Sequence, residues 1–376
     1  MTAPDHSRFP PAPTWLEINL GAVRRNTSAV LRHTGQPLMA VVKADAYGLG
    51  AAAISRAALE AGAAWLAVAR CSEGLELRRA GIQAPILVFG MAVPAEVDAA
   101  LANNLTLTLY NRESADLIAQ RAAALGLTAR VHLKVDTGFG RMGALPDQAL
   151  DLAGYAQCLG GIQLDGLYSH LAMADEAPDH PLTRQQIERF TGVLAALRAA
   201  GHDPRWVHLS NSAAAFLLPE AHFNLVRTGS ALIGLLPAYF LPLPAELERA
   251  VTWKALIADT KALPGGWAVG YGQTERPEPG EAIGVLSVGY GDGFRRAPGN
   301  VVLVHGRRIP VIGRVSSDLT TLRLPPGFPP AREAVLIGRQ GQEAIYAEEL
   351  AKRWGCSQSA VLSGISPRVP RVYLEE

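Results

Sequence analysis

The feature that most constrains the fold is an alternation, over residues 39–227, of short apolar runs with longer segments that have helical spacing. Short apolar runs bounded by turn residues are typical of buried strands, and the Ala- and Leu-rich segments between them, such as 114–125 and 184–200, are typical of helices. Eight parallel strand–helix units that close on themselves are characteristic of a (β/α)8 barrel, so we expect an α/β fold with a barrel over residues 13–243. The predicted strands are 39–43, 65–69, 86–89, 106–109, 131–135, 162–170, 206–209 and 223–227.

The helical pattern fades after the proline-containing stretch "LLPAYFLPLPAELERA". The rest of the chain consists mostly of short β-like runs punctuated by Gly and Pro, which indicates a second, mainly β domain over residues 244–376. The proline-rich residues 1–12 are expected to form a loose N-terminal arm. The strands predicted in the second domain are 253–260, 282–288, 301–305, 308–312, 320–324, 334–337 and 368–374.

Composition excludes several classes of protein. Of 376 residues, 49% are hydrophobic and 18% charged, so a packed globular protein is expected rather than a disordered chain. The net charge of +1 argues against a nucleic-acid or membrane-surface partner bound by charge alone. The apolar stretch "AGAAWLAVA" is too short to span a bilayer, and the N-terminus lacks the pattern of a signal peptide, so a cytoplasmic location is expected. Three widely spaced cysteines predict neither a disulfide framework nor a metal site.

Polar side chains gather where the predicted barrel strands end, which is the face of such barrels that carries catalytic residues. Each has an ordinary structural interpretation: a lysine at a strand end is often a surface residue, and "SNSAA" is a typical helix N-cap. Polar groups at the ends of five strands would, however, all lie on the same face of the barrel, and this convergence favours a functional site. The candidates are Lys43 and Tyr47 after the first strand, Lys134 and Arg141 after the fifth, His170 after the sixth, Asn211 and Ser212 after the seventh, and Arg227, Gly229 and Ser230 after the eighth.

These residue types suit pyridoxal phosphate chemistry. A lysine can form a Schiff base with an aldehyde cofactor, which then serves as an electron sink. Barrels often bind phosphate with the loops after strands 7 and 8, where Ser212 and the Gly229–Ser230 backbone lie. Arg227 could face the pyridine nitrogen and keep it unprotonated. The second domain adds Tyr290 in "SVGYGDGFRR" and Asp318 in "GRVSSDLTT", although each is also an ordinary loop residue.

The motifs, in their order and spacing, resemble those of pyridoxal-phosphate-dependent alanine racemases along nearly the whole chain. The matching stretches are "VVKADAYGLG", "HLKVDTGFGRMG", "YSHLAMADE", "HLSNSAA", "VRTGSALIG", "GYGDG", "GRVSSD" and "PRVPRVY". The resemblance implies that Lys43 carries pyridoxal 5'-phosphate and that Tyr47 hydrogen-bonds its phosphate. It implies racemisation of alanine by two bases, Lys43 and Tyr290, and a supply of D-alanine for peptidoglycan.

The same resemblance implies a homodimer with shared active sites, in which Tyr290 acts in the site of the partner subunit. The remaining implied roles concern cofactor and substrate contacts, and no metal is expected. His170 would orient the tyrosine, Arg227 would face the pyridine nitrogen, Asn211, Ser212, Gly229 and Ser230 would line the cofactor, Arg141 would bind the substrate carboxylate, a carbamylated Lys134 would support Arg141, and Ser317 and Asp318 of the partner would face the substrate.

Four positions depart from the family pattern. Asp45 stands where many members have Asn, Ser317 replaces a common Met, and Ser359 falls where a phosphate-binding Tyr is frequent. Ile233 replaces a frequent Tyr. The lost bulk at position 317 could widen the substrate pocket, so a racemase of broader specificity stays open as an alternative.

Two further alternatives use the same cofactor. A decarboxylase of basic amino acids would also need a lysine Schiff base, but no loop here resembles the cysteine-bearing loop of that family. A non-catalytic cofactor carrier would resemble the barrel alone, so the β domain with Tyr290 argues against it.

Overall fold

The computed structural model describes residues 12–235, 244 and 246–376, and these fall into two compact units. Of the described residues, the barrel unit comprises those within Gly21–Ala46 and Gly50–Glu248. The β unit comprises those up to Leu20, together with Tyr47–Leu49 and Arg249–Glu376. The expected N-terminal arm, 1–12, lies almost wholly outside the described residues.

The barrel unit is built on an eight-stranded parallel sheet, as the alternating pattern predicts. From β2 (Leu38–Val41) to β8 (Trp206–His208) consecutive strands pair side by side, and β9 (Val226–Thr228) pairs with β2. Next to the edge strand β8, the Asn224 amide N–H donates to the Val207 carbonyl and the Val207 N–H donates to Asn224 Oδ1. The strands are β2 Leu38–Val41, β3 Trp65–Val68, β4 Ile86–Val88, β5 Leu105–Leu109, β6 Ala129–Lys134, β7 Ile162–Tyr168, β8 Trp206–His208 and β9 Val226–Thr228.

Helices follow most of these strands, and some of them are capped by a side chain. Asn111 caps one helix by accepting from the Ser114 N–H, and Gly126 ends the same helix in the left-handed conformation that glycine allows. The helices are α1 Leu20–Thr34, α2 Lys43–Gly48, α3 Ala51–Glu60, α4 Cys71–Arg79, α5 Pro94–Ala102, α6 Arg112–Leu125, α7 Ala149–Leu159, α8 Pro181–Ala199 and α9 Ser212–Leu217.

The β unit holds a nine-stranded mixed sheet. Two helices that the sequence analysis did not anticipate, α10 Ala347–Trp354 and α11 Gln358–Ser363, lie near its C-terminal end in sequence. The expected fold class, a barrel followed by a mainly β domain, is confirmed. The strands are β1 Thr14–Asn19, β10 Val251–Lys261, β11 Ala282–Leu286, β12 Val301–Val304, β13 Arg307–Ile312, β14 Thr320–Leu324, β15 Glu333–Gln340, β16 Glu343–Ile345 and β17 Arg371–Leu374.

Strand β1 corrects the expected domain boundary. The boundary at residue 13 assigns Thr14–Asn19 to the barrel, whereas this strand pairs antiparallel with β10 and parallel with β17. Its side chains Leu16 and Ile18 are fully buried. A lone strand beside a proline-rich stretch carries no local signal for which sheet it joins, because its partners lie more than two hundred residues away in sequence.

None of the described helices has the length and apolar character needed to cross a membrane. Several strands are one or two residues shorter than expected, because polar residues such as Lys43 and His170 lie just beyond the last backbone pairing.

Candidate active site

Lys43 follows strand β2 and is the first residue of α2. Val42 still pairs with the neighbouring strand, donating to the Ala67 carbonyl at 2.9 Å. The next residues, 44–47, all have φ between 51° and 61°, so α2 is a left-handed helical turn. For residues other than glycine, this left-handed conformation is unfavourable by roughly 1–2 kcal/mol per residue. Hydrogen bonds to the turn must therefore hold it in place.

Two carboxylates hold this turn, one from outside it and one from within it. Glu73 Oε1 accepts the Ala44 N–H at 2.6 Å, and Asp45 Oδ1 accepts the Ala51 N–H at 2.6 Å. Asp45 is one of the departures from the family pattern, and here its carboxylate links the turn to the start of α3.

The Lys43 ammonium is surrounded mainly by positive charge. Burial lowers the pKa of Lys43, Arg141 and Arg227 lower it further, and Glu73 raises it. A lowered pKa leaves a larger neutral fraction of the amine, which is the nucleophilic form.

Lys134 ends β6 and is buried. Burial, followed by the charges of Arg141 and Arg227, lowers the pKa of Lys134 to about 8, while Asp136 raises it. The positive charge of Lys43 also contributes to the lowered pKa of Lys134. The two lysines therefore belong to one cationic cluster with Arg141 and Arg227.

Arg141 lies on a loop that Asp136 organises. Asp136 Oδ1 accepts the N–H groups of Gly138, Phe139 and Gly140, and its Oδ2 accepts the Arg141 N–H at 2.7 Å. Burial opposes the charged form of this carboxylate, but the four backbone bonds outweigh it, and the pKa of Asp136 is lowered. The "DTGFGR" stretch is therefore a carboxylate-centred turn, and the Arg141 guanidinium stacks 4.2 Å from the Phe139 ring.

Arg227 is a buried cation whose partners are neutral acceptors. It donates to the carbonyls of Ser169 (2.9 Å) and Leu209 (3.0 Å), to His208 Nδ1 (2.8 Å) and, more distantly, to His170 Nδ1 (3.4 Å). Burial lowers the pKa of Arg227 to about 10, so it stays charged at neutral pH.

A guanidinium only donates, which fixes the tautomers of the histidines around it. His208 accepts at Nδ1, so its Nε2–H donates to His132 Nδ1 at 2.8 Å. The Nε2–H of His132 then has no hydrogen-bond partner among the described residues. Burial, with the charge of Arg227, lowers the pKa of both imidazoles, which keeps this chain neutral beyond the arginine.

His170 is half-buried and also neutral. Burial lowers its pKa well below the ordinary range, and the charges of Arg227 and Arg141 act in the same direction. Because His170 Nδ1 faces Arg227, its Nε2 carries the proton and is a hydrogen-bond donor.

The residues after β8 and β9 meet through short polar contacts. The Ser212 hydroxyl lies 2.5 Å from the Thr228 hydroxyl and accepts the Gly229 N–H at 3.3 Å. Ser212 and Ser230 are buried. Asn211 caps α9 by accepting the Ala214 N–H, as its ordinary structural interpretation predicts.

Tyr47 and Tyr290 belong to the β unit. Burial raises the pKa of Tyr47 to about 12, so its phenol stays protonated. Tyr290 is 49% exposed, and its ring stacks 4.6 Å from the Arg296 guanidinium. Its loop is bonded to the 316–318 loop, because the Tyr290 N–H donates to the Ser316 carbonyl and the Gly291 N–H to the Ser317 carbonyl.

Arg368 links the same two loops through side chains. It donates to Asp292 at 2.8 Å and to Asp318 at 2.8 Å, and the other Asp292 oxygen accepts the Gly289 N–H. A Cβ at Gly289 would lie 2.2 Å from the Ser317 carbonyl oxygen, so this glycine is required by close approach. The two loops that carry Tyr290, Ser317 and Asp318 form one bonded assembly.

The structure thus brings together, in the barrel unit, five of the residues that the sequence singled out, and gathers the second-domain candidates in the β unit. Sequence analysis assigned no role to His132, His208, Glu73 and Arg368. Glu73 stands in an ordinary helix, whereas the other three lie within the matching stretches "HLKVDTGFGRMG", "HLSNSAA" and "PRVPRVY", which were the available signal. The barrel residues that act on one another are Lys43, Lys134, Arg141, His170 and Arg227. Among the described residues, no group of three or more His, Cys, Asp or Glu side chains is placed to share a metal ion.

Comparison with known proteins matches both units. The model of the alanine racemase N-terminal domain matches residues 18–237, and that of the alanine racemase C-terminal domain matches residues 250–373. The alanine racemase of Symbiobacterium thermophilum is 45% identical, over 96% of this chain and 97% of that protein.

Solved structures agree with the sequence comparisons. The crystal structure of the alanine racemase from Streptomyces lavendulae superposes with a TM-score of 0.93 at 38% identity, covering 98% of both chains. A histidine racemase from Leuconostoc mesenteroides superposes with a TM-score of 0.89 at 27% identity, covering 98% of this chain and 99% of that one. Because two family models span nearly all of its length and a relative is 45% identical over 96% of it, the chain belongs to the alanine racemase family.

Proposed function

We propose that this protein is a racemase that interconverts L- and D-alanine with pyridoxal 5'-phosphate as cofactor. The observation that carries the proposal is Lys43, an amine of lowered pKa at the end of a barrel strand, in a chain that matches both alanine racemase domains.

The residues at the barrel rim fit this cofactor by the chemistry of their donors. Lys43 offers an amine for attachment to an aldehyde, and Ser212 and Ser230 offer hydroxyls for a phosphate. Tyr47 of the β unit would add a third hydroxyl. Arg227 offers only N–H groups, so a pyridine nitrogen that accepts from it stays unprotonated. When bound, the cofactor supplies an electron sink for the charge left on Cα after proton loss.

Racemisation needs a proton to leave one face of Cα and another to arrive on the opposite face. Lys43 Nζ and the Tyr290 hydroxyl are the proposed carriers, one for each face. His170, protonated on Nε2 because Arg227 faces its Nδ1, would donate to the Tyr290 oxygen and fix its orientation. Arg141 would bind the substrate carboxylate, and carbamylation of the buried Lys134 would replace its repulsion of Arg141 with attraction.

We further propose that the active protein is a homodimer in which Tyr290, Ser317 and Asp318 serve the site of the partner subunit. The half-exposed phenol of Tyr290 in a single chain supports this assignment. A supply of D-alanine for peptidoglycan, in the cytoplasm, is the role that family membership favours.

A second candidate function is racemisation of larger amino acids as well. Two observations favour it: serine at position 317 leaves room that methionine would fill, and a histidine racemase has the same fold at 27% identity. Ser317→Met should leave alanine turnover intact and reduce turnover of larger substrates; equal effects on all substrates would remove pocket width as the explanation.

The test of the main proposal is incubation of the cofactor-loaded protein with L-alanine in heavy water, followed by chiral chromatography and mass spectrometry. A racemase yields D-alanine with deuterium at Cα, and Lys43→Ala should yield none. L-serine and L-histidine run in parallel measure specificity. Release of carbon dioxide, or no conversion of any amino acid, would contradict the proposal.

A further inference from the structure

Glu73 makes an unusual set of contacts for a residue in the first turn of a helix. One carboxylate oxygen, Oε2, accepts the N–H groups of Ala69 and Arg70, at 2.7 and 2.9 Å, which is the normal bonding of a helix capping residue. The other oxygen, Oε1, reaches away from the helix to the Ala44 N–H at 2.6 Å. One side chain therefore ties the ends of two neighbouring parallel strands, β2 and β3.

The hydrogen bond from the Ala44 N–H to Glu73 lies where the backbone passes from the extended strand into the left-handed turn. Ala44 is the first of the residues with positive φ and directly follows Lys43. The anchor on β3 is itself fixed, since the Ala69 carbonyl accepts the Gly90 N–H at 3.0 Å and a Cβ at Gly90 would lie 2.3 Å from that oxygen. The turn that carries Lys43 is thus attached to a crowded part of the barrel rim.

The charge of Glu73 is also placed to act on Lys43. Arg141 and Arg227 oppose protonation of the Lys43 amine, and Glu73 favours it. Lys134 and His170 are the other titratable groups that interact with Lys43, and the carboxylate of Asp45 is bonded to the Ala51 N–H. Glu73 is therefore the carboxylate that offsets the surrounding cations at this lysine.

We propose that Glu73 is a positioning residue for Lys43: its carboxylate holds the left-handed turn that carries Lys43 against β3, and its negative charge offsets the surrounding cations at the Lys43 amine. The proposal rests on the role assigned to Lys43 under the proposed function and adds a residue that acts through it. Glu73 itself is assigned no contact with substrate or cofactor.

The test is competitive labelling of lysines with acetic anhydride in the full-length chain, freed of cofactor, from about pH 6 to about pH 11. Mass spectrometry of peptides reports Lys43 and Lys134 separately. In Glu73→Gln the side chain keeps its length but loses its charge and one of its two acceptor oxygens. Both changes act against the role proposed for Glu73, so labelling of Lys43 near neutral pH should rise several-fold. The exposed Lys352 is the internal control, because Lys134 is itself coupled to Lys43.

A matched variant separates this role from helix capping. Asn111→Ala removes the cap of α6, where the Asn111 side chain accepts from the Ser114 N–H. It should lower stability as the loss of any cap does and leave Lys43 labelling unchanged. If Glu73→Gln and Asn111→Ala leave the Lys43 profile equally unaltered, Glu73 is only a cap and the proposal is wrong.

A second variant covers the case in which Glu73→Gln does not fold. Glu73→Asp keeps the charge but is one methylene shorter, too short to bond both strands at once. Hydrogen exchange at the Ala44 amide should then accelerate at least tenfold while the Ala69 and Arg70 amides stay protected; an unchanged Ala44 amide would overturn the proposal. Neither measurement depends on turnover, so a protein that racemises nothing would contradict the proposed function and leave this result standing.

Discussion

Four cationic side chains, Lys43, Lys134, Arg141 and Arg227, shape the chemistry of the rim at the scale of single residues. Burial and then the charges of Arg141 and Arg227 disfavour the protonated forms of Lys43 and Lys134, which is why both lysines have lowered pKa values. An anionic ligand is the natural complement of such a cluster, and a cofactor phosphate and a substrate carboxylate would both supply the missing charge.

Lys134 gives a prediction on stability. Its pKa is about 8 in the folded protein against an ordinary value of 10.5, so between these pH values the unfolded chain binds more protons and stability rises with pH. Lys134→Met should therefore raise the free energy of unfolding at pH 7, by up to about 3 kcal/mol. The gain should shrink as pH rises through this window and vanish above about pH 10.5.

Urea unfolding at several pH values, in buffer free of carbon dioxide, checks this prediction. The exposed Lys352 provides the control, since Lys352→Met should change stability little at any pH. A loss of stability in Lys134→Met that is the same at pH 7 and at pH 10 would show that packing, not charge, dominates at this position.

The two buried histidines give a second prediction at this scale. His208→Leu leaves a guanidinium N–H of Arg227 buried without its acceptor and should cost about 3 kcal/mol or more. His132→Leu removes the end of the chain, whose Nε2–H has no partner among the described residues, and should cost only about 1 kcal/mol.

Denaturant unfolding of both variants and of His208→Asn measures these costs. Asparagine offers an oxygen acceptor to Arg227, so His208→Asn should recover part of the loss. Equal costs for the two leucine variants would mean that the hydrogen bond to Arg227 contributes little.

At the scale of elements, the left-handed turn α2 is the feature that places Lys43. Ala44 and Asp45 are exposed, so the turn is held by hydrogen bonds to its backbone, among them the bond from the Ala44 N–H to Glu73, and not by burial of these side chains. A barrel strand followed by an ordinary right-handed helix would carry the chain, and with it Tyr47, in a different direction.

Gly48, the last residue of this turn, yields the prediction for this scale. It has φ of 82°, and a Cβ there would lie 3.1 Å from the Leu362 carbonyl oxygen. Gly48→Ala should therefore cost more than Gly126→Ala, where φ is 64° and nothing lies within 4 Å of an added Cβ. Ala44→Gly should act in the opposite sense and stabilise by up to about 1 kcal/mol, because glycine adopts positive φ without strain.

Thermal unfolding of the three variants tests the ordering. Equal losses for the two Gly→Ala variants would show that conformation alone, without the close contact to Leu362, sets the cost at Gly48.

At the scale of the whole molecule, segments that are far apart in sequence are joined by strand pairing in the sheet of the β unit. Strand β1, near the N-terminus, lies between β10 and β17, so the β unit needs both ends of the chain. Tyr290 belongs to this unit, whereas Lys43 belongs to the barrel unit.

Mixed dimers test the proposed sharing of active sites. Lys43→Ala and Tyr290→Ala should each be inactive alone. In a mixed dimer one site inherits both defects, and the other receives the intact Tyr290 of one chain and the intact Lys43 of the other. Random exchange of equal amounts makes about half of the dimers mixed, so activity should recover to about a quarter of that of the wild type.

Subunit exchange must be verified by co-purification of differently tagged chains. Verified mixed dimers without activity would show that Tyr290 does not act in the partner's site.

The sequence by itself determined the succession of elements and the chemistry they carry. Hydrophobic periodicity is local, so eight strand–helix units, the change to a β domain and the polar strand ends could all be identified from neighbouring residues. The motif order was specific enough to identify the family. Asn211 as a helix cap is also a consequence of local rules.

Only the tertiary structure decided which distant residues act together. The sheet that Thr14–Asn19 joins, the chain from Arg227 through His208 to His132, and the link from Glu73 to Ala44 all depend on contacts between residues far apart in sequence. The left-handed turn after Lys43 could not be predicted from the sequence either, because positive φ is uncommon for residues other than glycine. Hydrogen bonds from outside a segment can stabilise a conformation that its own residues disfavour, and local sequence does not encode those bonds.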